Sequence, residues 1–166
     1  GVSDPIEREL LIRQDAVGVL PYDPVRDEVA LIEQFRVGVV PSGQAPWMLE
    51  LVAGLIDPGE SPQQTAEREA TEESGAVLLE LLPVHQYFSS PGGSSEFFHL
   101  YCGRVNASGL GGIHGLANEN EDIKVHVFST DAALALLDAG KIRNAHTLVA
   151  LQWLALKRNA LREQWA

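Results

Sequence analysis

The sequence predicts an α/β fold in which a mixed sheet is packed against helices. Two patterns support this class: short apolar or alternating stretches bounded by turn residues, and longer segments with helical start and stop signals. The two kinds of segment interleave along the chain, as they do in folds that stack helices on a sheet. The 166 residues, 45% of them apolar, are enough for a sizeable core, so we expect a single domain over residues 1–166.

The strands are predicted from alternating or continuous apolar runs. A turn rich in Pro and Asp, at Pro21–Pro24 and Arg26-Asp27, joins the first two strands into a hairpin. A loop at Pro41–Pro46 leads into the third. The predicted strands are Asp15–Leu20, Val29–Phe35, Trp47–Ala53, Val84–Phe88, Phe97–Val105 and Lys124–Phe128.

The first predicted helix has signals at both of its ends. Ser61 is a capping residue, Pro62 suits the first helical position, and Gln64 has the spacing of a capping box. Gly75 supplies the stop, because glycine tolerates the left-handed conformation that ends many helices. The other two predicted helices are Thr130–Ala139 and Ala145–Glu163.

Composition excludes several classes of function. The net charge is -11, from 23 acidic residues against 12 Lys and Arg, which argues against a nucleic-acid-binding protein. Cys102 is the only cysteine, so no intrachain disulfide can form, and we read it as a small buried apolar residue. No apolar run approaches the roughly 18 residues of a membrane span. We therefore expect a cytoplasmic protein that binds neither nucleic acid nor membranes.

Acidic residues are crowded on the first predicted helix. Glu69 and Glu73 are four residues apart and lie one above the other, and Glu72 flanks the same face. A solvated acidic surface is the alternative explanation, since like charges at this spacing cost only about 0.2–0.5 kcal/mol a pair. A second acidic cluster, Glu119–Asp122, lies in the long polar loop Ala107–Asp122. Carboxylates gathered without cations suit a hard divalent metal such as Mg²⁺.

One segment carries a family resemblance. Gly54, five residues, Glu60, seven residues and then REATEESGA, from Arg68 to Ala76, resemble the Nudix box, GX5EX7REUXEEXGU, in which U is a bulky apolar residue. Every Gly, Glu and Arg of that pattern is present, and only the U positions, both Ala, are smaller than usual. The resemblance implies a Nudix fold, an α/β/α sandwich with a mixed sheet and a loop–helix–loop catalytic segment.

The resemblance also implies a metal site. Carried over position by position, Glu69, Glu72 and Glu73 are the carboxylate ligands and the backbone carbonyl of Ala53 is a further ligand. Arg68 orients one of these carboxylates, and Glu60 supports the ligands without binding the metal itself. The implied cofactor is Mg²⁺, as two or three ions, with Mn²⁺ as an alternative. Bound cations would reverse the sign of an acidic site that otherwise repels a diphosphate.

Segments outside the box are similar to bacterial ADP-ribose pyrophosphatases. They are Leu31–Arg36, Pro46–Gly54, Ser89–Glu96, Asn118–Val127 and Ala145–Trp165. The resemblance implies that Arg36 holds a substrate phosphate, that Glu96 contacts a ribose, and that Gly54 lies on the substrate side. Arg8 is assigned to the adenosine side, and the equally good alternative is that Arg8 is a surface arginine with no role in binding. Glu119 is implied as the base and Glu121 as a metal ligand, although the two roles stay open between them.

The expected reaction is metal-dependent hydrolysis of ADP-ribose to AMP and ribose 5-phosphate. Two alternatives remain open: hydrolysis of another nucleotide sugar such as GDP-mannose, and a non-catalytic Nudix-like sensor that binds ADP-ribose. The resemblance further implies a homodimer. Members of this subfamily usually carry additional N-terminal strands that exchange with a partner chain. Because the sequence begins close to where these strands would end, we expect them to be missing here.

Overall fold

A computed structural model of the chain describes residues 1–116 and 121–165. Its eight strands form one mixed sheet with helices on both faces, which confirms the predicted α/β class and the α/β/α sandwich. The strands are β1 (Ala16–Asp23), β2 (Glu28–Phe35), β3 (Trp47–Glu50), β4 (Val52–Leu55), β5 (Glu80–Phe88), β6 (Phe97–Arg104), β7 (Gly112–His114) and β8 (Ile123–Ser129). The α-helices are α1 (Pro62–Ser74), α2 (Thr130–Asp138) and α3 (Ala145–Trp165).

The sheet has the order β5-β6-β1-β2-β8-β7, with β3 paired to β2 and β4 paired to β1. The β1–β6 pair is parallel, and the remaining pairs are antiparallel. The single strand predicted at Trp47–Ala53 is wrong, because the chain changes partner at Leu51. The backbone N–H of Leu51 donates to Thr147 Oγ1 over 2.9 Å, so it makes no hydrogen bond to a neighbouring strand. Leu51 is the residue between β3, which pairs with β2, and β4, which pairs with β1.

Side chains alternate between two cores along β1. Val17 and Val19 face α1, where the small Ala66 and Ala70 let the helix pack closely on the sheet. Leu20 and Tyr22 face the opposite core, which α2 and α3 cover. The period of two along the strand therefore places α1 and α3 on opposite faces of one sheet.

The ends of α1 confirm the prediction. Ser61 Oγ accepts from the backbone N–H of Gln64, and the Gln64 side chain accepts from the backbone N–H of Ser61, which completes the capping box. Gly75 has a φ of 66° and its N–H bonds to the carbonyl groups of the last turn. A helix fixed at both ends holds its side chains in a defined register against the sheet.

Two loop predictions are wrong in part. The loop predicted at Pro41–Pro46 begins inside a 3₁₀ helix, Val37–Ser42, which ends at Gly43 in the left-handed conformation. The long loop Ala107–Asp122 contains the short strand β7, which pairs with β8. Three-residue strands and 3₁₀ turns carry too few residues for a periodic apolar pattern to form.

Two side chains anchor the C-terminal part of α3. Trp165 is buried and its Nε1 donates to Glu80 Oε2 over 3.1 Å. Arg158 of the same helix is paired with Asp27 in the turn after β1. No helix within residues 1–116 and 121–165 is long and apolar enough to span a bilayer.

Candidate active site

Gly54 and Glu69 bring the end of β4 against the acidic face of α1. A Cβ atom added at Gly54 would overlap the Glu69 carboxylate and would lie 2.7 Å from Glu69 Cγ. The position therefore requires glycine for close approach rather than for an unusual backbone conformation. The Nudix box thus packs strand and helix so that the Glu69 carboxylate lies directly over the backbone of β4.

Arg68 binds three carboxylates of the predicted set. Its Nη1 donates to Glu69 Oε1 over 2.7 Å and to Glu72 Oε2 over 3.0 Å, and its Nη2 lies 3.1 Å from Glu60 Oε2. Hydrogen bonds to Glu60, followed by the charge of Glu69, raise the pKa of Arg68. The hydrogen bonds from Arg68 and Thr65 lower the pKa of Glu60. The structure therefore brings Arg68 and Glu60 together with Glu69 and Glu72, and the orienting and supporting roles stay predictions.

Glu73 is the most buried carboxylate of α1, with 3% of its surface exposed. Its Oε2 accepts from the backbone N–H of Ala53 over 2.9 Å. Burial, together with the charges of Glu69 and Glu121, raises the pKa of Glu73 to about 8, although the Ala53 N–H and the charge of Arg36 act in the opposite direction. Burial also raises the pKa of Glu69. These carboxylates carry unfavourable desolvation and mutual repulsion, which a bound cation would relieve.

The second acidic cluster is only partly described. Glu121 Oε2 accepts from the backbone N–H of Leu116 over 3.0 Å, and its charge acts on both Glu69 and Glu73. The loop is held to α1 by the N–H of Gly115, which donates to the Glu72 carbonyl over 3.3 Å. Glu119, predicted as the base, lies outside the described residues. Glu121 lies beside the α1 carboxylates, and its role as a metal ligand stays a prediction.

The donor set suits a hard divalent cation, because Glu69, Glu72, Glu73 and Glu121 offer carboxylate oxygens and Ala53 a carbonyl oxygen. In this structure, the carboxylate oxygens of these residues do not converge on one point. Within residues 1–116 and 121–165, no three acidic, His or Cys side chains lie close enough together to enclose an ion. Two of the carboxylates are instead paired with Arg68 and one with the Ala53 N–H.

A cleft of about 500 Å³ opens beside these carboxylates, on the side of Gly54 and Ala53. Arg36, the predicted phosphate ligand, lies on its wall, and Arg36 Nη2 is 2.6 Å from Oε2 of the buried Glu50. A guanidinium on the wall of the cleft is a group that can bind an anionic ligand, and the α1 carboxylates lie beside the cleft, next to Gly54 and Ala53.

The predicted ribose contact, Glu96, also lines the cleft. Its Oε1 accepts from Ser89 Oγ over 2.8 Å, and its Oε2 lies 3.0 Å from Arg13 Nε. Arg8 is not among the residues that line the cleft. It lies in the exposed N-terminal segment, where its Nη1 donates to the carbonyl of the neighbouring Glu7. Its assignment to the adenosine side stays a prediction.

Several cleft residues were not predicted as functional. His146, in the first turn of α3, stacks on Phe98 with a ring separation of 3.6 Å, and its Nδ1 lies 2.9 Å from Tyr87 Oη. Arg143 and Asn144 precede it and also line the cleft. The sequence does not indicate that these residues lie beside Arg36 and Glu96, because they are at the start of the last helix, distant along the chain, and only the fold brings them to the cleft.

Comparison with known proteins identifies the family. The model of the NUDIX domain matches residues 12–151. The chain belongs to the Nudix family. It is 48% identical over 165 residues to the ADP-ribose pyrophosphatase of Escherichia coli K12, covering 99% of this chain and 79% of that protein. The enzyme of the same name from Haemophilus influenzae is 44% identical over 168 residues, covering 99% of this chain and 77% of that one.

More distant relatives of this Nudix chain have other names. The GDP-mannose pyrophosphatase of Salmonella typhimurium is 32% identical over 149 residues, covering 89% of this chain and 77% of that protein. A crystal structure of an ADP compounds hydrolase superposes with a TM-score of 0.70 at 26% identity, covering 91% of this chain and 74% of that one. Nudix hydrolases generally use divalent metal ions, which agrees with the oxygen donors of α1.

Proposed function

We propose that this Nudix chain hydrolyses ADP-ribose to AMP and ribose 5-phosphate. The observation that carries the proposal is the cleft lined by Arg36 and by Gly54 and Ala53, which lie against the Glu69 and Glu73 carboxylates, in a chain 48% identical to ADP-ribose pyrophosphatases. In the reaction, a water oxygen bonds to one phosphorus and the bridging oxygen leaves with the other phosphate. An arginine on the wall of the cleft and carboxylates beside the cleft suit a diphosphate, which brings its own negative charge and needs cations to approach carboxylates.

The residues proposed to hold Mg²⁺ are Glu69, Glu72 and Glu73, with the Ala53 carbonyl and Glu121. When bound, divalent cations neutralise the diphosphate and lower the pKa of the water that attacks it. Arg68 and Glu60 keep the Glu69 and Glu72 carboxylates in place. The number of ions is proposed as two or three, and Mn²⁺ is a chemically similar substitute.

Glu119 is proposed as the base that accepts a proton from the attacking water. Glu121 is close to the α1 carboxylates and is proposed as a ligand rather than as the base. The variants Glu119→Gln and Glu121→Gln separate the two roles. Loss of the base lowers kcat with little change in the Mg²⁺ concentration for half-maximal rate, whereas loss of a ligand raises that concentration. The opposite pattern would exchange the two assignments.

The far wall of the cleft is proposed to bind the sugar. Glu96 is held by Ser89 and Arg13, so its carboxylate is fixed where it can accept hydrogen bonds from ribose hydroxyls. Arg36 is proposed to bind a phosphate, and Gly54 to leave room at the floor of the cleft for the diphosphate. Arg8 is proposed for the adenosine side, with Arg8→Ala as its test through the KM for ADP-ribose.

GDP-mannose hydrolysis is the second candidate, because a GDP-mannose pyrophosphatase is 32% identical over 149 residues. A panel of nucleotide sugars compared by kcat/KM in Mg²⁺ distinguishes the two. We expect ADP-ribose to exceed GDP-mannose by at least about tenfold, since a change of base removes several hydrogen bonds. A reversed preference would refute the substrate assignment. Tight binding of ADP-ribose without turnover would instead support a sensor.

The proposed assembly is a homodimer, and the proposed compartment is the cytoplasm. Exposed apolar side chains at Ile6, Leu10, Leu11 and Ile12 leave the N-terminal segment with surface that a second copy could cover. Light scattering after gel filtration tests the assembly, and a mass of one chain would refute it. Imaging of a tagged chain tests the compartment.

A further inference from the structure

Glu50 is a buried carboxylate at the end of β3 and lies outside the Nudix box. Only 3% of its surface is exposed, and both of its oxygens are occupied. Oε2 accepts from Arg36 Nε over 2.9 Å and from Arg36 Nη2 over 2.6 Å, while Oε1 accepts from Asn144 Nδ2 over 3.1 Å. A carboxylate buried this deeply is stable only when it is paired and hydrogen-bonded, so its position is determined by these two partners.

Asn144 fixes the position of Glu50 from the start of α3. Its Oδ1 accepts from the backbone N–H of Thr147 and from Thr147 Oγ1, each over 3.0 Å, which is the geometry of a helix cap. Thr147 is fully buried, and its Oγ1 in turn accepts from the backbone N–H of Leu51. The hydrogen bonds therefore run without a break from the backbone after β3, through the cap of α3, to Glu50 and Arg36.

The way Glu50 binds Arg36 leaves the end of the guanidinium free. Glu50 occupies the side edge, formed by Nε and Nη2. A guanidinium has five N–H donors in a fixed plane, so three remain, including the pair on Nη1 and Nη2 that forms the end edge. That edge is the one that binds two oxygens of a phosphate in parallel. Arg36 lines the cleft with 43% of its side chain exposed, so the free edge is accessible.

We infer that Glu50 and Asn144 are positioning residues, which hold the Arg36 guanidinium so that its end edge faces the substrate diphosphate. The inference rests on the proposed function, because it takes a diphosphate compound as the ligand of Arg36. The charge of Arg36 acts on Glu73 of α1 and on His146, which lines the cleft, so the guanidinium lies near both the α1 carboxylates and the start of α3. A long side chain held at one edge loses less freedom when a ligand binds the other.

A double-mutant cycle tests whether Glu50 acts through Arg36. The four proteins are the wild type, Arg36→Gln, Glu50→Gln and the double variant, each assayed for kcat/KM on ADP-ribose in Mg²⁺. We expect a loss of roughly 100-fold for Arg36→Gln and about tenfold for Glu50→Gln, the range for charge-assisted hydrogen bonds. The double variant is expected to be no worse than Arg36→Gln alone. Multiplying losses, or an unchanged Glu50→Gln variant, would overturn the inference.

Asn144→Ser provides a second route that does not depend on how well Glu50→Gln folds. Serine can still cap the helix through the backbone N–H of Thr147 but cannot reach Glu50, so it removes the hydrogen bond to Oε1. We expect a severalfold fall in kcat/KM, a melting temperature only a few degrees lower because one buried carboxylate oxygen loses its partner, and no further fall in kcat/KM when Arg36→Gln is added. Glu28→Gln, at a carboxylate paired with Arg26 away from the cleft, is the matched control and should leave kcat/KM at the wild-type value.

Binding of α,β-methylene-ADP in Mg²⁺, measured by calorimetry, separates this inference from the proposed function. The Kd should rise by the same factors as kcat/KM falls, and the double variant should again match Arg36→Gln. If the wild type bound α,β-methylene-ADP but did not hydrolyse ADP-ribose, the proposed function would be refuted. The double-mutant cycle of Kd values would still test whether Glu50 acts through Arg36. Additive effects on Kd, or no binding by the wild type, would overturn the inference.

Discussion

Replacing Gly54 with alanine should abolish turnover while leaving the fold nearly intact. The added Cβ would overlap the Glu69 carboxylate and lie 2.7 Å from its Cγ, so the Glu69 side chain must leave its position. The backbone at Gly54 is ordinary strand, paired with Val17, so alanine itself introduces no strain. The perturbation is therefore confined to one carboxylate of the proposed metal site.

The expected stability change is small because two effects oppose each other. Displacing Glu69 breaks its ion pair with Arg68, which is partly exposed on the Arg68 side and contributes about 1 kcal/mol. Alanine gains roughly 0.5–1 kcal/mol over glycine within a strand, because less conformational freedom is lost on folding. With a net change within about 1 kcal/mol, the melting temperature should move by no more than about 2–4 °C.

The expected loss of activity is large. Supporting residues of metal sites typically contribute 10–100-fold, and a ligand itself contributes more, so we expect kcat/KM on ADP-ribose to fall by at least roughly 100-fold. Gly92→Ala is the matched control, because a Cβ at Gly92 meets nothing within 4 Å. The assay is release of AMP in Mg²⁺, with melting curves of all three proteins. Activity within threefold of the wild type would refute the argument that Glu69 must lie where a Cβ would be.

Three further changes separate the core, the Nudix box and the anchoring of the last helix. Gly18→Ala places a Cβ 2.5 Å from Phe98 Cζ, and overpacking should lower the free energy of unfolding by about 1–3 kcal/mol, measured by urea denaturation, without changing the kcat of the folded fraction. Arg68→Met removes the cation shared by three carboxylates and should raise the Mg²⁺ concentration for half-maximal rate by roughly tenfold, and an unchanged value would contradict the orienting role. Burial alone would raise the pKa of Asp27, but hydrogen bonds from Arg158 and other neighbours lower this pKa overall. The pairing of Asp27 therefore stabilises the fold above about pH 4, and this contribution is lost as the pH falls through the pKa of Asp27 in the folded protein. Asp27→Asn should therefore cost about 3 kcal/mol at pH 7 and progressively less in acid, and a difference that did not shrink would refute the assignment.

The parts of the fold that sequence predicted well are those with local causes. The start of α1 depends on Ser61 and the end on Gly75, and both lie within a few residues of the backbone groups that they satisfy. The longer strands were found from their apolar runs, with ends that differ by a few residues, whereas the three-residue β7 was missed. The break at Leu51 could not be predicted, because Thr147, which captures its N–H, is 96 residues away.

The candidate site divides in the same way. The spacing of Glu69, Glu72 and Glu73 follows from one helix, and Arg68 pairs with Glu72 four residues further along the same helix. The contact between Glu50 and Asn144 joins residues 94 positions apart, and neither residue belongs to the Nudix box. Tertiary packing alone creates such contacts, so a sequence without a structure gives no signal for them.

The measurement that tests the central claim most directly is hydrolysis of ADP-ribose in ¹⁸O-labelled water, with products identified by mass spectrometry. For the wild type in Mg²⁺ we predict equimolar AMP and ribose 5-phosphate, with one ¹⁸O atom in one of the two products. The Glu73→Gln variant should form neither above background. Absence of both products from the wild type, or equal yields from Glu73→Gln, would contradict hydrolysis of ADP-ribose at the α1 carboxylates.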